Sequence, residues 1–308
     1  MAETKTLPLP SGLAGERIDA ALAKLLGISR SHAADLIEAG AVHIDGKPAA
    51  KSDRAVEDAL LTVELADPVN RLEVVATDVA ELRIVFEDEH LVVVDKPAGV
   101  AAHPSVGWEG PTVVGVLAAR GVQIATSGAA ERQGIVQRLD VGTSGLMMVA
   151  KSEVAYSRLK QAFRDRAVHK TYHALAQGLP DPLEGTIDAP IGRHPKAEFK
   201  FAVMNDGKPS ITHYKLLEAF AAASLLEIIL ETGRTHQIRV HMSAFKHPLV
   251  GDTMYGADPK LAVKLGIERQ WLHAMALEFE HPVTNETIRL RSSYPTDLEA
   301  VLRQLRGV

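Results

Sequence analysis

Three residues have the type and setting to do chemistry: Asp140, Tyr172 and Arg239. Asp140 lies in Gly134-Ile-Val-Gln-Arg-Leu-Asp-Val-Gly-Thr-Ser-Gly145, two residues from Arg138 and beside the turn Val141–Gly145. The apolar run Leu146-Met-Met-Val-Ala150 follows at once, so a charged loop enters a buried strand. A carboxylate so placed has two readings, a catalytic aspartate or half of a structural ion pair. A nearby arginine favours its ionised form even where water is excluded. Such a carboxylate can attack an electrophilic sugar carbon or act as a base. Arg138 is one candidate partner; Arg239, on a helix rich in polar residues, is another. Tyr172 falls on a strand with basic neighbours. Its ring can stack on a base and its hydroxyl can exchange a proton, or it is a core aromatic with its hydroxyl at the surface.

Basic residues cluster around these positions. Residues 158–173 carry five Lys/Arg and one acid, and Gly192–Lys200 and Arg234–His247 are also positive. Three such patches fit a groove that tracks a phosphate backbone, whereas one alone would read as a solvated face. The whole chain is acidic, with net charge −5 and pI about 6.2, so any nucleic-acid site has to be local. Sharper readings fail. Asp-Val-Gly-Thr-Ser-Gly145 resembles an aspartic-protease turn, but that chemistry needs two lobes and one is present. His236, His241 and His247 match no familiar zinc spacing, so no metal is expected. The lysine that a phosphate-cradling loop requires is missing from Gly142–Gly145.

Composition allows a large domain plus a small one: 308 residues, 46% hydrophobic and 24% charged. The lack of cysteine excludes disulfides and thiol catalysis and suits a reducing cytoplasm. Met-Ala-Glu-Thr-Lys-Thr lacks the basic and apolar regions of a signal peptide, so none is expected, and the longest apolar run, Ala219–Leu230, contains Glu227, so no membrane span is expected.

Several elements must position these groups. Residues 1–15 read as a tail. Ile18, Ala21, Leu22 and Leu25 have helical spacing up to Gly27. Ser29 can cap a second helix that Gly40 stops. Val42–Ile44 with Asp45-Gly46 reads as a strand and hairpin turn, with Leu60–Leu65 returning. Residues 66–81 read as a linker. Leu82–Phe86 and His90–Val94 form a hairpin, and Thr112–Arg120 a helix. Ser152–Arg166 is a capped helix with one basic face, and Val168–Gln177 alternates as a strand. Pro180–Pro190 turns the chain. Ile211–Glu218, Leu225–Glu231, Leu272–Glu280 and Ile288–Leu290 are further strands. His236–Phe245 is a helix opened by Thr232-Gly-Arg-Thr235, Pro248–Tyr255 a loop, and Pro295–Leu305 a closing helix.

The ordered set Arg17-Ile-Asp19, Ile28-Ser-Arg-Ser31, Leu36-Ile-Glu-Ala-Gly40 and Val42-His-Ile-Asp-Gly-Lys47 resembles the S-four-type RNA-binding domain over about residues 16–65. That resemblance implies that Arg30, Ser31, His32 and Lys47 meet RNA. The charge departs from it, with six Lys/Arg against nine Asp/Glu, so weak RNA affinity or a plain interaction module is the alternative.

Gln137-Arg-Leu-Asp140 with Gly142-Thr-Ser-Gly145 and Val149-Ala-Lys151 resembles the first motif of the RluA/RluC/RluD-type pseudouridine synthases. Three stretches follow the same family's order: Val94-Asp-Lys-Pro-Ala-Gly99 with Ala102-His-Pro104, His169-Lys-Thr-Tyr172, and Thr232-Gly-Arg-Thr-His-Gln-Ile-Arg-Val-His241 with His247-Pro-Leu-Val-Gly-Asp252. The resemblance spans about residues 82–305. It implies an α+β fold: a large mixed, mostly antiparallel β-sheet with flanking helices over 82–308, plus the small N-terminal α/β RNA-binding domain. It implies that Asp140 is the catalytic aspartate and that Arg138 displaces the target base. Tyr172 packs on the flipped base and serves proton removal, and Arg239 pairs with Asp140. Thr143, Lys170, Arg234, His236 and Gln237 fall in the motifs as implied RNA contacts. Gln137 departs from the family, which usually has histidine there. The implied activity is isomerisation of uridine in RNA by a cytoplasmic monomer without cofactor or metal. Large-subunit ribosomal RNA is the implied substrate. Transfer RNA, or a non-catalytic ribosome-assembly role, is the alternative.

Overall fold

A computed structural model describes residues 3–28, 30–65, 73–197 and 199–308, with side chains for all of these except residues 3, 31, 32 and 65. The chain divides into two compact units at about residue 71. The first holds β1 (Glu3–Pro8), α1 (Ile18–Leu26), α2 (Arg30–Glu38), β2 (Val42–Ile44), β3 (Lys47–Pro48) and β4 (Leu60–Leu65). Its sheet runs β1-β4-β2-β3. Ile18, Ala21 and Leu22 of α1, Ala33 and Ile37 of α2, and Leu61 and Val63 of β4 close one core. The expected tail is corrected in part: residues 3–8 pair antiparallel with β4, and Leu9 is buried. Thr-Lys-Thr-Leu-Pro has too few apolar positions to announce a strand, and only its partner β4 makes it one.

The second unit holds β5 (Arg83–Glu87), β6 (Leu91–Lys96), α3 (Val113–Ala119), β7 (Ser144–Ala150), α4 (Glu153–Arg164), β8 (His169–Gln177), β9 (Glu184–Asp188), β10 (Ile191–Arg193), β11 (Phe201–Val203), β12 (Ile211–Ala219), β13 (Ala223–Leu230), α5 (Gln237–Ala244), α6 (Pro259–Leu265), β14 (Leu272–Glu280), β15 (Thr287–Arg291) and α7 (Thr296–Arg306). One sheet runs β5-β6-β7-β14-β8-β13-β12-β9, with β15 also on β14, while β10 and β11 form a separate hairpin. Among the described residues its pairings are antiparallel except β7 with β14. At that crossing the chains approach so closely that a Cβ on Gly145 (φ +110°) would stand 2.3 Å from the Ala274 carbonyl oxygen.

Both faces of this sheet are covered, which is why its central strands are apolar runs. Val92, Val94, Met147 and Val149 face α3; Leu91, Val93, Leu146 and Met148 face α4. The far end packs Trp271 and Leu175 against α6 and α7.

Several expectations need adjusting. Residues 66–72 and Ser29 lie outside the described residues. Residues 73–81, expected as linker, lie against α3: Arg120 donates to Asp78 and to the carbonyls of Val79 and Leu82. Pro180–Pro190 contains the edge strand β9, whose Glu184-Gly-Thr-Ile-Asp188 lacks an apolar run. The β10–β11 hairpin and α6 were likewise not evident from periodicity. No helix among the described residues is long and apolar enough to cross a membrane.

Candidate active site

Asp140 ends the loop that feeds β7. Its own carbonyl accepts the Thr143 N–H at 3.0 Å, closing the turn before the strand begins. The α5 helix, entered a hundred residues later, brings Arg239 to it: Nη1 donates to Asp140 Oδ2 at 3.2 Å. Asp140 is thus half of an ion pair, and it also lines an open cleft. Arg239 is itself buried. Its Nε and Nη2 donate to Asp252 at 2.7 and 2.9 Å, a two-pronged grip that aims the remaining Nη1 at Asp140. Burial opposes the Arg239 charge, but Asp252 and then Asp140 outweigh it and hold its pKa above the ordinary arginine value.

The turn that carries Asp140 is braced from beneath. Lys96, fully buried at the end of β6, donates from Nζ to the carbonyls of Pro97 (3.0 Å), Val100 (2.7 Å) and Val141 (3.3 Å). Three acceptors call for three protons, so the geometry suits the ammonium form. Burial nonetheless pushes Lys96 down to about 7, against the pull of Asp140. Arg269 donates to the Gly142 carbonyl at 2.9 Å and is gripped by Asp297 of α7. Gln270 donates to Thr143 Oγ1 at 3.2 Å.

Tyr172, on central strand β8 opposite Ile228 and Ala274, faces the same cleft. Burial first, and the Asp140 charge second, raise its pKa above the usual phenol range. It therefore stands as a neutral phenol at pH 7, and it takes up a proton only by passing on its own. His236 enters α5 in the left-handed region (φ 56°), with Nε2 3.9 Å from Asp140 Oδ2. Burial lowers its pKa despite Asp140, so the ring is neutral at pH 7.

The other expected contacts divide. Arg138 is exposed in the cleft and hydrogen-bonded to Thr235. Arg234 is exposed beside the cleft and reaches the Pro209 carbonyl at 3.3 Å. Lys170 lies over the Phe163 ring at 5.4 Å, its pKa lowered by burial. Gln237 lines the cleft with its amide spent internally. Oε1 accepts from Thr232 and the Arg234 N–H, and Nε2 donates to Thr212 and the Ile211 carbonyl. It shapes the loop that presents Arg234, Thr235 and His236. Thr143 is likewise buried and bonded to Gln270. Gln137 lines the cleft, yet its Nε2 is buried without a hydrogen-bond partner among the described residues.

In the first unit, Arg30 and Arg17 both grip buried Asp19, and Arg30 remains exposed. Lys47 is exposed. Ser31 and His32 have side chains outside the described residues.

Sequence reasoning missed Asp252, Lys96, Arg269 and Tyr255. The first two stood inside quoted motifs, and a buried charge at the end of an apolar strand was the available signal for Lys96.

The cleft itself is about 1240 Å³. That exceeds the roughly 300–1,000 Å³ of small-molecule sites and suits a polymer. Among the described residues that line it are ten Lys/Arg, including Arg132, Lys160, Arg164 and Lys208, against three acids. One of those acids is Asp140, and another, Glu231, is paired with Arg166. The sign is opposite to that of the chain as a whole, as a phosphate-tracking groove requires.

A family model described as RNA pseudouridylate synthase matches residues 90–244, and one described as S4 domain matches residues 16–58. An uncharacterized RNA pseudouridine synthase of Mycobacterium bovis is 58% identical, over 98% of each chain. The ribosomal large subunit pseudouridine synthase D of Xanthomonas campestris is 41% identical, over 97% of this chain and 91% of that one. Among solved structures, human RNA pseudouridylate synthase domain containing 1 superposes with a TM-score of 0.59 at 27% identity, covering 75% of this chain and 97% of the human one.

Proposed function

The chain belongs to the RNA pseudouridylate synthase family, and on that premise we propose that it isomerises specific uridines of large-subunit ribosomal RNA. The coarser statement stands by itself: this is an RNA pseudouridine synthase, an isomerase, with an S4 domain. The ribosomal substrate is supported by that N-terminal domain and by relatives named for the large subunit. The enzyme acts as a monomer in the cytoplasm.

The observation that carries the reading is Asp140, oriented by Arg239, at the wall of a basic cleft that also holds Tyr172. The reaction breaks the N1–C1′ bond of uridine, turns the uracil and joins C5 to C1′. The proton lost from C5 balances the one gained at N1, so nothing enters or leaves. The base must first leave the stack, at a cost of about a few kcal/mol. Arg138 and the basic walls offset that cost through phosphate contacts. Asp140 then attacks the sugar or takes the neighbouring ribose proton. Tyr172 holds the detached ring and relays a proton through its hydroxyl.

Asp140→Asn keeps the shape and loses the charge. It is expected to abolish pseudouridine formation in a ribosomal RNA transcript while RNA affinity survives. An active Asp140→Asn enzyme overturns the mechanism. Pseudouridine mapping in a deletion strain tests the substrate: lost ribosomal sites are expected, whereas lost transfer-RNA sites, or none, overturn it.

A further inference from the structure

Asp140 uses its two oxygens unequally. Oδ2 has both neighbours, Arg239 Nη1 at 3.2 Å and His236 Nε2 at 3.9 Å. Oδ1 receives no hydrogen bond from the described residues and is left to the cleft. Behind both neighbours stands Tyr255, in the loop after β13 and α5. Its ring lies against the Arg239 guanidinium, 4.9 Å from centroid to Cζ. Its hydroxyl oxygen accepts the Phe201 N–H at 3.1 Å and meets His236 Nδ1 at 2.8 Å.

The proton count fixes the direction of that last bond. The hydroxyl has one proton to place, and Tyr255 is buried. Among the described residues, His236 Nδ1 is the acceptor in reach. A buried hydroxyl left without an acceptor is destabilising. Nδ1 therefore accepts, and the neutral ring carries its proton on Nε2, the nitrogen aimed at Asp140.

We propose that Tyr255 is a positioning residue for the isomerisation. It selects the His236 tautomer whose Nε2–H closes on Asp140 Oδ2 when RNA fills the cleft, so that His236 and Arg239 hold one oxygen and Oδ1 meets the ribose. Hydrogen bonds of this kind are often long in an empty site and tighten on the substrate. The hairpin that carries Phe201 walls the cleft, so its backbone N–H links the RNA-facing wall to the same hydroxyl. This proposal rests on Asp140 as the reacting carboxylate.

Tyr255→Phe keeps the ring under Arg239 and removes the hydroxyl. The expected result is a fall in kcat of about tenfold or more, the worth of one hydrogen bond to a charged group, with KM and RNA affinity within about twofold. Nitrogen-15 NMR of the full chain is expected to find His236 as the Nε2–H tautomer in the wild type and as a mixture in Tyr255→Phe. His236→Gln offers an amide N–H that needs no tautomer, so adding Tyr255→Phe to it should cost no further kcat. Wild-type kcat in Tyr255→Phe, or an Nδ1–H tautomer in the wild type, overturns the proposal. If the wild type turns over no RNA, the functional reading fails, and the NMR comparison still decides what Tyr255 does to His236.

Discussion

Arg239 is shared between two carboxylates of different standing. Asp252 is buried and takes two of its N–H groups, while Asp140 is partly open and takes one. The division makes Asp252 the anchor and Asp140 the group free to meet substrate. A lysine at 239 could not span both, because it lacks the planar fork. Lys96 is the other buried cation, and its titration is measurable. Its pKa is near 7 folded and near 10.5 as an ordinary lysine. Between those values the unfolded chain binds the extra proton, so Lys96 makes stability rise with pH from about 7 to about 10.5. That contribution is lost as pH falls through 7. Denaturant unfolding of the wild type against Lys96→Met across this window should show the rise in the wild type and a flatter profile in the variant. Parallel profiles would mean that the three carbonyls compensate fully for burial.

The element that governs the site is the turn 140–145 between its braces. β6 supplies Lys96 to Val141, and the approach to β14 supplies Arg269 to Gly142 and Gln270 to Thr143. The turn is thus tied to both strands that flank β7. Arg269 is aimed by a two-pronged grip from Asp297 at the start of α7. The C-terminal helix therefore reaches the turn 140–145 through one arginine. Asp297→Ala is expected to lower kcat by about three- to tenfold with KM unchanged. The pair is half-exposed on the Asp297 side, so the loss of stability should stay at or below about 1 kcal/mol. Steady-state kinetics with a melting curve checks both. An unchanged kcat would reduce Arg269 to packing.

At the scale of the molecule, charge is segregated. A chain of net charge −5 builds a cleft with ten Lys/Arg and three acids. Among the described residues of the first unit, Arg17 and Arg30 are paired with Asp19, Lys24 with Glu16 and Lys51 with Glu38, while Lys47 is exposed. RNA affinity should accordingly depend on the cleft and fall steeply with salt. For single strands the slope of log K against log salt is about −0.7 per phosphate neutralised, so five or more contacts give about −3.5 or steeper. A filter-binding titration between low and physiological salt measures it. A slope near zero would mean that the cleft does not track a phosphate backbone.

Local order is what the sequence by itself determined. The apolar runs of β6, β7, β8 and β14 were readable because burial on both faces leaves a long signature. Asp140, Tyr172, Arg239 and the order of the motifs were readable because each motif is a short contiguous run. Residues 3–8 and Glu184–Asp188 were not, because an edge strand exists only through its partner. The loop-closing bonds of Gln237 were not readable either, because a polar residue in a motif looks the same whether its amide faces a ligand or closes a loop. Only the tertiary structure decided that His236, Asp252 and Tyr255 join the Asp140–Arg239 pair in one network. These residues lie on separate segments, and periodicity carries no record of which segments meet. Their meeting follows from the parallel pairing of β7 with β14 and the packing of α5 over the sheet, long-range contacts fixed by burial of the whole core.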